Sequence, residues 1–380
     1  MNIAYVHTGK WPSNSPSITF ATYNCISIAQ VTDHCYFFIK QNSTRSVEAV
    51  LQDFFQLSPP ENLTICQNRS VLKSNYLYYL KILLQIKKLH KRKKLDAVIS
   101  RSITFLPFLK KIKQTMNIPV IFEAHDFFTD LALRTDINIK KKAKQQRLER
   151  KYINYLDGLI CLQNEQKKLY EKYYSGLSIR VIRTGIHKLN RSSKSRKYIT
   201  YVGSFDLLKG VDILIDSLKY LKSQPEILLI GGKSQSEIQK LEKKISIKYP
   251  CKKIIITGWI NKKKLDNYLS ETLIGIIPLK NTFFNRYLTS PLKLFDYFSS
   301  GIPIIASDLP ANRELIDENV TGIFFESDNP KKLAEKIDEL IQNENNRKNM
   351  EKNIYLKATS LLWEKRAEQI IAFVNELKGR

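Results

Sequence analysis

Apolar runs of four to six residues alternate with stretches of helical period along the chain. In the first half the runs fall at 2–6, 35–39, 96–100, 118–123, 158–162 and 179–182. In the second half they fall at 198–202, 226–230, 253–257, 273–278, 302–306 and 322–325. Between them, segments such as 70–93 and 210–222 repeat apolar residues at the spacing of one helix face. Strands alternating with helices build βαβ units and a parallel sheet. Several runs, Ile227-Leu228-Leu229-Ile230 and Ile254-Ile255-Ile256 among them, are apolar without interruption. Strands covered by helices on both faces read this way.

The alternation breaks at 188–197, Lys-Leu-Asn-Arg-Ser-Ser-Lys-Ser-Arg-Lys. This stretch is polar, and Ser192, Ser193 and Ser195 suit a flexible connector. The pattern therefore predicts an α/β chain of two similar halves, 1–187 and 198–358, joined by 188–197 with a cleft between them. A last helix is expected within 359–380. At 380 residues with 43% apolar content, the chain has room for two full cores and is not disordered.

Residues suited to chemistry gather where strands end, the place at which open α/β sheets bind ligands. Lys209-Gly210 follows a glycine turn at Gly203 and is expected to open a helix. A glycine lets backbone approach a ligand, a helix start offers N–H groups, and lysine adds a mobile charge suited to phosphate. A solvated lysine beside a helix-start glycine is the plainer alternative. Gly231-Gly232 ends the next strand. Pro291 suits the first turn of a helix carrying Lys293 and Asp296, which at that spacing also form an ordinary surface pair. Glu314 is expected near a helix start. Gly301 and Pro303 punctuate a helix-to-strand turn.

In the first half, Glu123-Ala-His125-Asp126 directly follows an apolar run. Of the histidines at 7, 34, 90, 125 and 187, only His125 stands at a strand end beside an acid. Residues 7–17 are expected to form a loop leading to a helix near Ile18, with Gly9, Ser15 and Ser17 placed for contact.

Three of these segments, 201–210, 290–298 and 301–308, resemble in order and spacing the nucleotide-sugar half of a GT-B glycosyltransferase of family 4. The resemblance implies two Rossmann-like, doubly wound parallel-sheet domains facing across a cleft. It implies transfer of a sugar from a nucleotide-diphosphate donor to a glycan or lipid-linked acceptor, with retention and without metal, in surface polysaccharide synthesis. By the same resemblance Gly203, Ser204, Lys209, Gly210, Gly232, Pro291, Leu292, Lys293 and Asp296 bind the donor, with backbone N–H groups of 289–292 contributing. Lys209 and Lys293 stabilise the departing diphosphate. Asp296 accepts from the ribose hydroxyls, and His125 lies at the transferred sugar or acceptor. The tryptophan-containing terminal helix crosses back to the first domain. The chain departs from the family where Ser204 replaces a usual arginine and where the first of two spaced glutamates falls at Leu288. A usual double glycine in the first loop is reduced to Gly9.

The net charge of +26 enlarges the set of partners. Residues 81–94 hold seven basic groups and no acid, and 140–151 hold seven against Glu149. Such a field attracts nucleic acid, an anionic membrane surface or phosphorylated substrates, unless it reflects lysine-rich codon usage alone. Both runs lie in the half that would bind the acceptor, so peripheral attachment to the inner face of a membrane is expected. No run is long enough to span a bilayer, and the first residues carry no leader pattern, which suggests a cytoplasmic setting. Cys25, Cys35, Cys66, Cys161 and Cys251 are scattered and suit reduced thiols. No Walker A, Gly-x-Gly-x-x-Gly, His-Glu-x-x-His or Asp-x-Asp pattern occurs, so no cofactor or metal is expected. Two rivals remain. One is a basic nucleic-acid-binding protein, though no binding module interrupts the βα alternation. The other is an inactive GT-B scaffold, prompted by Ser204 and Leu288.

Overall fold

The computed structural model describes residues 1–13, 15–68, 75–232, 234–250 and 253–379. Cys251 and the first residues of the predicted 70–93 helix lie outside them. The chain divides into two units, Met1–Gly185 with Trp363–Arg380, and Ile186–Leu362.

The first unit holds a parallel sheet of β1 (Asn2–Trp11), β2 (His34–Gln41), β3 (Leu63–Asn68), β4 (Ala97–Ser100), β5 (Val120–Glu123), β6 (Gly158–Cys161) and β7 (Ser178–Val181). Their order is β3-β2-β1-β4-β5-β6-β7. The order reverses between β1 and β4, which leaves a crevice beyond their carboxyl ends. β4, β5 and β6 are buried at every residue, as their unbroken apolar runs require. β3 was not expected. It is an edge strand that mixes Thr64 and Gln67 with apolar residues and pairs only with β2.

The region after Val6 is strand rather than the expected loop. Past an irregularity, β1 resumes pairing at Lys10 and Trp11 with Lys40 and Gln41. Trp11 is fully buried, and its indole N–H donates to Thr22 Oγ1 at 3.1 Å. The gain from burying this large ring carries the strand onward.

The helix Trp363–Lys378 packs within the first unit. Trp363 meets Phe20 edge-on at 5.1 Å, and Ile370, Phe373 and Val374 join the core. A Cβ at Gly158 would lie 2.7 Å from the Phe373 ring, so β6 offers this helix a position without a side chain.

The second unit holds β8 (Tyr198–Val202), β9 (Glu226–Ile230), β10 (Ile254–Gly258), β11 (Thr272–Ile277), β12 (Ile304–Ser307) and β13 (Gly322–Phe325). The order β10-β9-β8-β11-β12-β13 reverses between β8 and β11. Residues of 188–197 bond along this unit. Asn190 N–H donates to Ser299 O, and Arg196 donates to Ser300 O and Gly301 O. Gly301, at φ +62°, turns the chain into β12 where a side chain would strike the Tyr355 ring. Glu314 closes the helix Pro310–Arg313 instead of opening one, because Pro310 fixes the start four residues earlier. Among the described residues, no helix is long and apolar enough to cross a membrane.

Candidate functional site

In the second unit, the turns after β8 and β9 are closed backbone to backbone. Gly203, Gly231 and Gly232 have φ of +138°, +128° and +104°, a region that favours glycine. Gly203 N–H donates to Ile230 O at 2.8 Å, and Gly232 N–H to Gly203 O at 3.2 Å. A Cβ at Gly231 would lie 2.1 Å from Gly203 O. A Cβ at Gly203 would instead find Lys293 Nζ nearest, at 3.3 Å.

Lys293 lies in the first turn of the helix Leu292–Ser299, whose N-cap is Pro291. Its side chain turns inward and is only 8% exposed. The amine stands 3.7 Å from the centroid of the Tyr201 ring and makes no hydrogen bond to any described residue. Burial, then the nearby charge of Lys209, holds its pKa well below the usual lysine value. A buried ammonium without an anion is costly, so this position favours a ligand that brings negative charge. The Ser204 carbonyl, where the family has arginine, is held by the Tyr201 hydroxyl at 2.6 Å.

Lys209 ends the short 3-10 turn Leu207–Lys209, with Nζ 5.5 Å from the Phe284 ring. Gly210 follows at φ +71°, and a Cβ there would lie 1.6 Å from Pro278 O. The structure thus gives this glycine a packing reason first. Asp296 and Lys293 do not pair. Lys293 faces Gly203, while Asp296 accepts from Lys262 Nζ at 3.0 Å. Lys262 also meets Asp266 at 2.9 Å. Burial works against the Lys262 ammonium, but Asp296 and Asp266 outweigh it and raise its pKa. Leu288, where the family's first acid would fall, is 1% exposed in the core. The backbone donors expected at 289–292 are fewer than supposed. Thr289 N–H is taken by Phe284 O at 2.9 Å, and Pro291 has none.

In the first unit, Glu123 is fully buried at the end of β5. It does not serve His125. It accepts from the Tyr5 hydroxyl at 2.7 Å and from Arg366 Nη2 at 2.6 Å. His125 lines a cavity of about 250 Å³ with Asp126, Phe128, Lys142, Gln145 and Glu149. Its Nδ1 is buried without a hydrogen-bond partner among the described residues. Burial, then the charge of Arg101, lowers its pKa far enough to keep the ring neutral. Asp126 accepts from Arg134 Nη1 at 2.5 Å. Glu149 braces the loop after His125, accepting from Phe128 N–H at 2.8 Å and Thr129 Oγ1 at 2.9 Å. Burial pushes its pKa up to about 7. His7 Nδ1 accepts from Gly9 N–H at 2.8 Å, and its Nε2 meets Ser17 Oγ at 2.9 Å. Burial and Arg101 pull its pKa down to about 3.

Arg101, Glu149 and Lys262 join these clusters and were not singled out by sequence. Arg101 follows β4 directly, so the strand-end rule that found His125 reaches it too. Lys262, one of three consecutive lysines, carries no such signal.

Residues 183–357 match the family model for glycosyl transferases group 1. An uncharacterised glycosyltransferase of Methanocaldococcus jannaschii is 26% identical over 257 residues, covering 67% of each chain. A UDP-Gal:α-D-GlcNAc-diphosphoundecaprenol α-1,3-galactosyltransferase of Escherichia coli is 23% identical over 288 residues, covering 69% of each. Among solved structures, Anabaena HepE in complex with UDP and glucose matches with a TM-score of 0.73 at 14% identity, covering 99% of both chains. That likeness shows the fold, two Rossmann-like parallel-sheet units of the GT-B class.

Proposed function

We propose that this chain, whose residues 183–357 match the glycosyl transferases group 1 model, moves a sugar from a nucleotide-diphosphate donor to a glycan or lipid-linked acceptor. In this reading the transfer retains anomeric configuration, needs no metal and serves surface polysaccharide synthesis. The observation that carries it is the Lys293 amine, buried beside the Gly203 turn without a hydrogen-bond partner among the described residues. A diphosphate brought there gives the amine its anion. Lys209 adds a second cation as charge develops on the leaving group, the kind of preorganised term that dominates many catalysed transfers. Asp296, steadied by Lys262, accepts from the ribose hydroxyls. His125 contacts the sugar or the acceptor. The diphosphoundecaprenol-linked sugar in the name of the Escherichia coli relative supports a lipid-linked acceptor.

Calorimetry with UDP-, GDP- and ADP-sugars, repeated with a chelator, tests the donor half. One nucleotide should bind with unchanged affinity when metal is removed. If none binds, the reading fails.

The acceptor's setting follows from charge. The helices Asn75–Lys91 and Ile139–Tyr152 carry most of the basic groups of 81–94 and 140–151, largely exposed. Each lysine near an anionic bilayer contributes about 1 kcal/mol within a Debye length. Peripheral attachment at the inner membrane face should therefore appear as co-sedimentation with anionic liposomes. Charge reversal in the two runs should abolish it, and binding indifferent to anionic lipid would refute it.

A further inference from the structure

Arg101 stands immediately after β4, and His7 lies on β1, the two neighbouring strands at which the first sheet reverses its order. Ser102 ties the two together, accepting from Thr8 N–H at 2.9 Å. The Arg101 side chain is 7% exposed, and its guanidinium lies 3.8 Å from the Phe20 ring centroid. It makes no hydrogen bond to any described residue, and Nε and Nη1 are both buried without a partner.

The contrast with Arg366 is instructive, because that guanidinium belongs to the same cluster and also lies over Phe20, at 4.8 Å. Arg366 Nε donates to Asn24 Oδ1, Nη1 to Ile182 O and Arg183 O, and Nη2 to Glu123 Oε1. Glu123 comes no nearer to Arg101 than 3.9 Å, and its oxygens already accept from Arg366 and Tyr5. The charges facing Arg101 can be counted. Arg366 and Glu123 cancel. Tyr5 is protonated, its pKa raised by burial and then by Glu123. His7 and His125 are neutral for the reasons given above. Asp126 is committed to Arg134. One buried positive charge is left over, with N–H groups unmet, at the switch point of an α/β sheet.

We propose that Arg101 and His125 form an oxyanion site at the carboxyl end of β4 that recognises a phosphate or carboxylate carried by the acceptor. That the anion belongs to the acceptor rests on the glycosyltransferase reading, whereas the site itself does not. A guanidinium matches the planar, two-oxygen geometry of both groups, and charge-assisted bonds in a desolvated place are strong. His125, two residues past the end of β5, which pairs with β4, has a buried Nδ1 without a partner among the described residues, and in its Nδ1–H tautomer it donates a further hydrogen bond to a bound oxygen. The Phe20 ring, 3.8 Å from the guanidinium, packs against its face.

The test uses the full chain and thermal unfolding at constant ionic strength. Inorganic phosphate forms one arm, D-glucuronate a second, and neutral D-glucose the control. Phosphate or glucuronate should raise the melting temperature and glucose should not. The arm with the larger shift tells phosphate from carboxylate. Arg101→Gln should lose the shift while UDP affinity, read by calorimetry at the second unit, stays within about twofold of wild type, as expected for independent sites. Arg101→Lys keeps the charge and lacks the fork, so anion affinity should fall by about tenfold. It also keeps the question open to measurement if Arg101→Gln does not fold. Equal shifts in wild type and either variant, or no shift with either anion, overturn the site. Failed anion binding with intact nucleotide binding rejects this site alone, whereas failed nucleotide binding rejects the donor reading.

Discussion

The strand ends of the two units are built on opposite plans. In the second unit the chemistry is mostly backbone, with Gly203, Gly231 and Gly232 at positive φ and one buried amine behind them. In the first unit it is mostly side chains, with Tyr5, Asn24, Glu123 and Arg366 bonded into a single buried network. The first plan leaves a charge waiting for a ligand and puts little fold stability into it. The second puts charges into the fold itself. Substitutions should therefore separate, with stability responding in the Tyr5–Asn24–Glu123–Arg366 network of the first unit and binding at the glycine turns of the second.

The largest effect is expected where a buried pair is broken. Arg366→Met leaves Glu123 buried with one donor fewer. Unfolding free energy should drop by about 3–5 kcal/mol, because Asn24 Oδ1, Ile182 O, Arg183 O and Glu123 Oε1 each lose a buried donor. Urea denaturation measures it, and a loss below about 1 kcal/mol would erase the contrast between the units.

Next come the two lysines of the second unit. Lys209→Ala and Lys293→Met should each reduce turnover by about 10²–10³. Melting temperature should stay unchanged or, for Lys293→Met, rise, since the variant removes a buried amine. Either variant keeping half of wild-type activity would remove that lysine from the diphosphate.

A smaller effect tests the brace behind His125. The Glu149 pKa is raised in the folded state to about 7, from an ordinary value near 4.5. The folded protein thus holds this proton more tightly than the unfolded chain. Its contribution is fully present below pH 4.5 and is lost as pH rises through about 7. The stability difference between wild type and Glu149→Gln should change over that window by on the order of 1–3 kcal/mol in favour of Gln at the high end. A difference independent of pH would mean that the carboxyl ionises normally. His7, with its pKa pulled down to about 3, slopes the other way, so the difference between variants is the quantity to read.

The smallest effect sharpens the donor site. Asp296→Ala should weaken nucleotide binding by about tenfold, near the value of a hydrogen bond to a charged group. Asp296→Glu should keep much of the affinity, because it retains the carboxylate with one more methylene. Equal loss of activity in both, with nucleotide affinity untouched, would make the carboxylate a structural partner of Lys262.

Most of this architecture was legible because buried parallel strands announce themselves. Ala97–Ser100 and Val120–Glu123 sit in runs that are apolar on both faces. Leu63–Asn68 was not legible, since an edge strand needs only one covered side and Thr64 and Gln67 break its pattern. At the sites, the glycines could be found because left-handed backbone restricts what may stand there. Partner choice could not be found. Asp296 passes over Lys293, one turn away, for Lys262, 34 residues distant, and Glu123 takes Arg366 from 243 residues away. Spacing along the chain fixes neighbours on one helix but carries no information about which cation a buried acid meets across the fold.

The helix Trp363–Lys378 gives the molecule a timetable. Glu123, Asn24 and the bare backbone of Gly158 all await residues that the ribosome makes only after the entire Ile186–Leu362 unit. At ordinary elongation rates that interval is roughly ten to thirty seconds. Through it the nascent amino-terminal sheet carries an uncovered apolar strip and a carboxylate lacking its guanidinium. The unit begun first is thus the one completed last, and a chain cut short before Trp363 carries a finished second unit attached to an unfinished first.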